Sequence, residues 1–91
     1  MMYSLEPTPP EVSKALAERH RILRKQLKMS RKEMAERSGV SLGSLKRFEN
    51  TGKTSLDSLL KMMHLLGRSN EFDNLLLAKE NLNDVKKLYN K

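Results

Sequence analysis

The sequence predicts an all-α bundle of five helices, or six if the C-terminal tail forms one, and three observations carry that prediction. Apolar residues recur three and four apart along most of the chain, the spacing of one helix face. Hydroxyl side chains stand just before those stretches and glycines just after them, where helices are capped and stopped. No segment alternates apolar and polar residues over the length of a strand, so no sheet is expected. The 91 residues suit one domain.

Residues 1–10 contain all three prolines and read as a flexible, extended leader. They lack a basic start and an apolar stretch, so no secretory signal is expected there. Pro10 suits the opening of a helix, where its missing N–H goes unused. The first helix then runs from about Glu11 to Leu27, with Val12, Leu16, His20, Leu23 and Leu27 along one stripe. Ser30-Arg31-Lys32-Glu33 reads as a reciprocal capping box that opens the second helix. Met34 and Ala35 face inward there, and Gly39 is placed to leave the helix in the left-handed conformation. Ser41 caps a third helix, Leu42 to Asn50, with Leu45 and Phe48 inward.

Asn50 to Lys53 form a turn, and Thr54-Ser55-Leu56-Asp57 resembles a second capping box. The fourth helix covers about Ser55 to Leu66 through Leu56, Leu59, Leu60, Met63 and Leu66, and Gly67 stops it. Met63 reads as core, and Met62 as either an exposed residue suited to a dimer seam or a core filler. A fifth helix is expected over Glu71 to Ala78, capped by Asn70 and built around Phe72, Leu75 and Leu76. The tail has weaker helical spacing through Leu82, Val85 and Leu88. The expected organisation is therefore a leader (1–10), a helical domain (11–78) and a C-terminal extension (79–91).

The net charge of +7 is unevenly spread. Residues 11–53 hold twelve Lys/Arg against five Asp/Glu, whereas residues 54–91 hold six against five. A localised basic surface is the electrostatic footprint of a polyanion such as nucleic acid. Other classes find little support. Without cysteine a disulfide framework is excluded, and a reducing cytoplasm is the compatible setting. The apolar runs are too short to span a membrane. His20 and His64 lie far apart with no carboxylate at ligand spacing, so no metal and no cofactor are expected, and His20 reads as a packed, hydrogen-bonded side chain. No catalytic constellation is present, and the chain does not read as an enzyme.

Ser30–Asn50, SRKEMAERSGVSLGSLKRFEN, is the informative stretch. Two capped helices are joined by Ser38-Gly39-Val40-Ser41, a turn too short for antiparallel packing, so they cross steeply and leave the second helix proud of the surface. Ala35 suits the close approach at that crossing, Val40 plugs the corner and Leu45 seals the pair. With these residues the chain resembles the Cro/repressor-like (XRE-type) helix-turn-helix family. Leu23-Arg24, Met29-Ser30, Glu33-Met34-Ala35, Gly39-Val40-Ser41, Ser44-Leu45, Phe48-Glu49-Asn50 and Leu65-Leu66-Gly67 stand at family positions, a match over about residues 16–67.

The resemblance implies a five-helix bundle that binds double-stranded DNA as a homodimer, with the third helix in the major groove. It also implies a buried ion pair between Arg24 and Glu49. Where polar base-readers often begin the recognition helix, this chain has Leu42 and Gly43, of which Leu42 can only touch a thymine methyl. Arg47 is then the best reader, since a bidentate contact to guanine is the commonest specific contact of arginine. Ser44 and Lys46 complete the base-reading candidates. Arg31, where the family commonly has glutamine, joins Ser41, Asn50, Thr51 and Lys53 as candidate phosphate contacts. So few readers imply modest intrinsic specificity or reliance on DNA shape.

These observations favour a sequence-specific transcriptional repressor in the cytoplasm. Two alternatives remain open at this level. One is the antitoxin of a toxin–antitoxin pair, engaging its toxin or another protein through residues 68–91. The other is a protein-interaction module that keeps the fold without DNA binding, favoured by Leu42 and Gly43.

Overall fold

A computed structural model of the chain describes residues 6–78. Within them lie four α-helices, one short 3-10 turn and no strand. The helices are α1 (Pro9–Gln26), α2 (Arg31–Ser38), α3 (Leu42–Thr51) and α4 (Leu56–Leu65), and the 3-10 turn is Ser69–Phe72. α3 packs against both α1 and α2, and α4 closes the bundle on α2.

Each helix starts on a hydroxyl cap. The Thr8 hydroxyl accepts from the Glu11 N–H, and the Glu11 carboxylate reaches back to the Thr8 N–H. This reciprocal box opens α1 at Pro9, two residues before the expected start. Ser30 and Ser41 accept from the N–H groups of Glu33 and Ser44. Glu33 does not complete the expected reciprocal box, because its carboxylate pairs with Arg37 at 2.9 Å, one turn further along the same face. Ser55, not Thr54, caps α4 by accepting from the Ser58 N–H.

The core is small: Ala17, Met34, Ala35, Val40, Leu45, Phe48 and Met62 are its buried apolar members. Two helices meet it through faces the periodicity does not indicate. α1 buries Ala17, His20 and Arg24, leaving Val12, Leu16 and Leu27 exposed. In α4, Met62 is fully buried, as its core-filling reading has it, and Met63 is only partly buried instead of core, while Leu56 and Leu60 stay exposed. For α1 the reason lies opposite it. At Gly52, a Cβ would fall 2.9 Å from the Ser13 carbonyl carbon and 3.0 Å from the Lys14 nitrogen. So close a backbone approach admits only the small or polar side of α1.

The fifth α-helix does not form, so among the described residues neither a five- nor a six-helix bundle is present. Ser69–Phe72 make a single 3-10 turn without a side-chain cap, and Leu76 takes a φ of 64°. Phe72 is partly buried, but Leu75, Leu76 and Leu77 are exposed. A short helix is marginal unless it buries a face, and this segment buries almost none. The expected helical spacing at Leu82, Val85 and Leu88 lies outside the described residues.

Gly39 and Gly52 end α2 and α3 with φ of 80° and 82°, a conformation that costs a side-chain-bearing residue about 1–2 kcal/mol. Gly39 has open space around its Cβ position, whereas Gly52 adds the contact with α1. Gly39→Ala should therefore lower stability by about 1–2 kcal/mol, and Gly52→Ala by more. Urea unfolding midpoints check this, and equal midpoints would mean that α1 yields at the contact.

Candidate nucleic-acid interface

The chain between Arg31 and Thr51 forms two short helices joined through Gly39, Val40 and Ser41. Val40 is buried at the corner, and the Ser38 hydroxyl accepts from its N–H. Inside, Leu45 and Phe48 turn α3 onto the core. Outside, Gly43, Lys46, Arg47 and Asn50 form a stripe at the spacing of one helix face, and all four are exposed. Among the described residues the side chains of Lys46, Arg47 and Asn50 find no hydrogen bond or ion pair. Leu42, at the first position of α3, is instead partly buried against the core.

The other candidate residues surround this stripe. The Ser41 hydroxyl caps α3 and donates to the Ser44 hydroxyl at 2.8 Å, so the two serines are tied together. The Thr51 hydroxyl donates to the Arg47 carbonyl and accepts from the Lys53 N–H, which closes the C-terminal end of α3. A cleft of about 350 Å³ between α3 and the start of α4 is lined by Ser44, Arg47, Lys53, Thr54, Ser55 and Ser58. Sequence reasoning placed Ser44, Arg47 and Lys53 at the interface and missed Thr54, Ser55 and Ser58. Their signal was the cap itself, because a capped helix start turns free N–H groups outward. Cations, hydroxyls and a helix N-terminus on one wall suit an anion.

What holds this surface in place is the Glu49 carboxylate, whose side chain has no exposed area. One oxygen accepts from Arg24 Nε at 2.9 Å and from His20 Nδ1 at 2.9 Å. The other accepts from Arg24 Nη2 at 2.9 Å and lies 3.3 Å from Arg31 Nε. The remaining Arg24 nitrogen donates to the Met29 carbonyl at 2.8 Å, fixing the loop into α2. His20 also packs edge-on against Phe48 with ring centroids 5.5 Å apart. Arg31, at the head of α2 and with 37% of its side chain exposed, is the group through which this cluster meets the surface. The pairing of Arg31 with Glu49 was not foreseen, although Glu49 is the only acid between Glu36 and Asp57.

Burial alone would raise the Glu49 carboxyl, but the Arg24 hydrogen bonds and charge, aided by His20, hold it below its ordinary value. Burial also keeps His20 below its ordinary value, against the pull of the Glu49 carboxylate. A neutral ring with its proton on Nδ1 fits the geometry, since Nε2 is buried without a partner. Among the described residues no cluster of His, Cys, Asp and Glu could hold a metal, and no helix is long and apolar enough to cross a membrane.

A family model described as helix-turn-helix matches residues 21–69, more than half of the chain and the whole of α2, α3 and α4. No curated protein and no solved structure matches it.

Removing Glu49 strands two cations, one of them buried, and Glu49→Gln should cost about 3–5 kcal/mol. The pH dependence follows from two lowered values. A group whose value is lowered by folding adds stability above its ordinary value and loses it as pH falls through the folded one. Stability should thus decline as pH drops below about 6.5 for His20, and again below about 4.3 for Glu49. Urea midpoints against pH test both steps, and His20→Gln should abolish the upper step alone.

Proposed function

The chain belongs to the XRE-type (Cro/C1) helix-turn-helix family of DNA-binding transcription regulators, and from that premise we propose that it is a sequence-specific repressor. In this reading it acts as a dimer, with α3 in the major groove of double-stranded DNA. One observation carries the proposal: the exposed stripe of α3 presents the side chains of Lys46, Arg47 and Asn50 with no hydrogen-bond or ion-pair partner among the described residues, while its opposite side is locked into the core.

Arg47 is the principal base reader, through guanine O6 and N7. Lys46 and Ser44 assist it, and Leu42 and Gly43 offer only apolar or backbone surface. Arg31, Lys53, Ser41, Asn50 and Thr51 contact phosphates and set the register. Arg31 is suited to this because the Glu49 cluster, with Arg24 and Arg31 charged and His20 neutral, keeps one uncompensated positive charge at the head of α2. In the cleft between α3 and the start of α4, the wall formed by Lys53, Thr54 and Ser55 seats a second phosphate. Exposed Leu56, Leu60, Leu75, Leu76 and Leu77 supply apolar surface for the dimer. The last three also favour a second reading, in which residues 68–91 bind a protein partner such as a toxin.

Binding to duplex DNA should weaken steeply with salt, the logarithmic slope being about 0.9 per phosphate neutralised. On a duplex selected from a random pool, Arg47→Ala should lose about 1–3 kcal/mol, with little change on a scrambled duplex. Arg31→Ala should weaken both and reduce the salt slope by about 1. Selected half-sites about 34–36 Å apart would match a two-fold dimer. Retention of no duplex at about 50 mM salt would remove the proposal.

A further inference from the structure

Three of the four glycines are required by the chain itself. Gly39, Gly52 and Gly67 all have positive φ, and Gly52 also meets the backbone of α1. Gly43 has neither reason. It lies in the first turn of α3 without a positive φ, and a Cβ placed on it meets nothing within 4 Å. A helical glycine weakens its helix, because the unfolded chain gains freedom and no side chain packs. No internal contact or backbone conformation compensates here.

Gly43 stands at the head of the outward stripe, one turn before Arg47. Helical side chains lean toward the N-terminus and cover the turn before their own Cα. The stem of Arg47 therefore has an unobstructed path over Gly43 to the N-terminal end of α3, the end that meets base edges in this motif. In the free chain Arg47 lines the cleft beside α4 and makes no side-chain bond that would have to break first.

We infer that Gly43 is a specificity-determining position: its missing side chain is the space through which Arg47 reaches the bases. This rests on the reading of α3 as the groove helix. It assigns Gly43 a role by vacancy rather than by contact. An apolar side chain there would block Arg47 without supplying a hydrogen bond of its own.

The test uses the full chain, the duplex that wild type selects from a random pool, and a scrambled duplex of equal length. Gly43→Ala should raise Tm by about 2–5 °C. Gly43→Leu should lower affinity for the selected duplex by roughly 5- to 150-fold, the value of one bidentate contact, with Gly43→Ala falling between it and wild type. Affinity for the scrambled duplex should be nearly unchanged. In an Arg47→Ala background the loss caused by Gly43→Leu should largely vanish, since the path then has no user. Wild-type affinity in Gly43→Leu, or an equal loss with and without Arg47, overturns this inference while leaving DNA binding intact. A drop in Tm for Gly43→Ala overturns it too, by revealing an internal need for the glycine. If wild type selects no sequence, the groove-helix reading fails and the inference with it.

Discussion

A carboxylate without exposed surface is tolerable only if its lone pairs are met by donors and its charge is compensated. Glu49 satisfies both conditions with groups drawn from every element that must be fixed. Arg24 and His20 come from α1, Arg31 from α2, and Glu49 itself from the last turn of α3. Two oxygens offer about four acceptor sites, and four nitrogens stand against them. Arg24 then extends the lock to the α1–α2 loop through the Met29 carbonyl. A core of seven apolar residues has limited power to specify how three helices are rotated about their axes. The directional bonds at Glu49 do that instead, and they decide which side of α3 faces outward.

The same lock explains why part of the fold was legible in the sequence and part was not. Caps at Ser30 and Ser41, the turn at Gly39, and the inward positions Ala35, Val40, Leu45 and Phe48 are local signals, set by residues within a few positions of one another. The rotation of α1 is not local. Its leucine-containing stripe competes with the Ala17–His20–Arg24 face, and hydrophobicity alone selects the first. The structure selects the second, because Glu49 and Gly52 both lie on α3 or at its end and both call for that face. Periodicity cannot show such a requirement; before assembly only the Arg24–Glu49 pair implied by the family resemblance points to it. The choice of Met62 over Met63 is of the same kind, as adjacent methionines differ by one helix step and either can fill a small core. The absent fifth helix shows the opposite failure: a local pattern was present, but no surface was left for it to bury.

At the candidate site, residue chemistry was legible and connectivity was not. Charge and spacing single out Arg31, Lys46, Arg47 and Lys53 without assembly. They do not reveal that Arg31 shares a carboxylate with Arg24, that Ser41 and Ser44 occupy one another, or that Ser55 and Ser58 join Arg47 across a cleft. Each of these depends on the direction in which a short turn sends the chain. The turn at Gly52 is the clearest case, since it swings the start of α4 back beside α3 and so converts a helix cap into one wall of a basic cleft.

Stability and, in the proposed function, base reading are therefore placed on different parts of one ten-residue helix. The inward residues Leu45 and Phe48, and Glu49 near the C-terminal end, engage α1, α2 and the core. Among the described residues, the side chains of the outward Lys46, Arg47 and Asn50 make no hydrogen bond or ion pair, and Gly43 has no side chain to offer. A substitution at Lys46, Arg47 or Asn50 loses no packing and strands no buried charge, so its energetic consequence falls almost wholly on whatever lies outside. This separation has a mechanical consequence as well. Because the carboxylate lock spans three helices, the stripe cannot tilt to accommodate a poorly matched surface without breaking several short hydrogen bonds at once. In the proposed reading, discrimination then arises from the reach of the side chains, chiefly Arg47, and from the open space at Gly43.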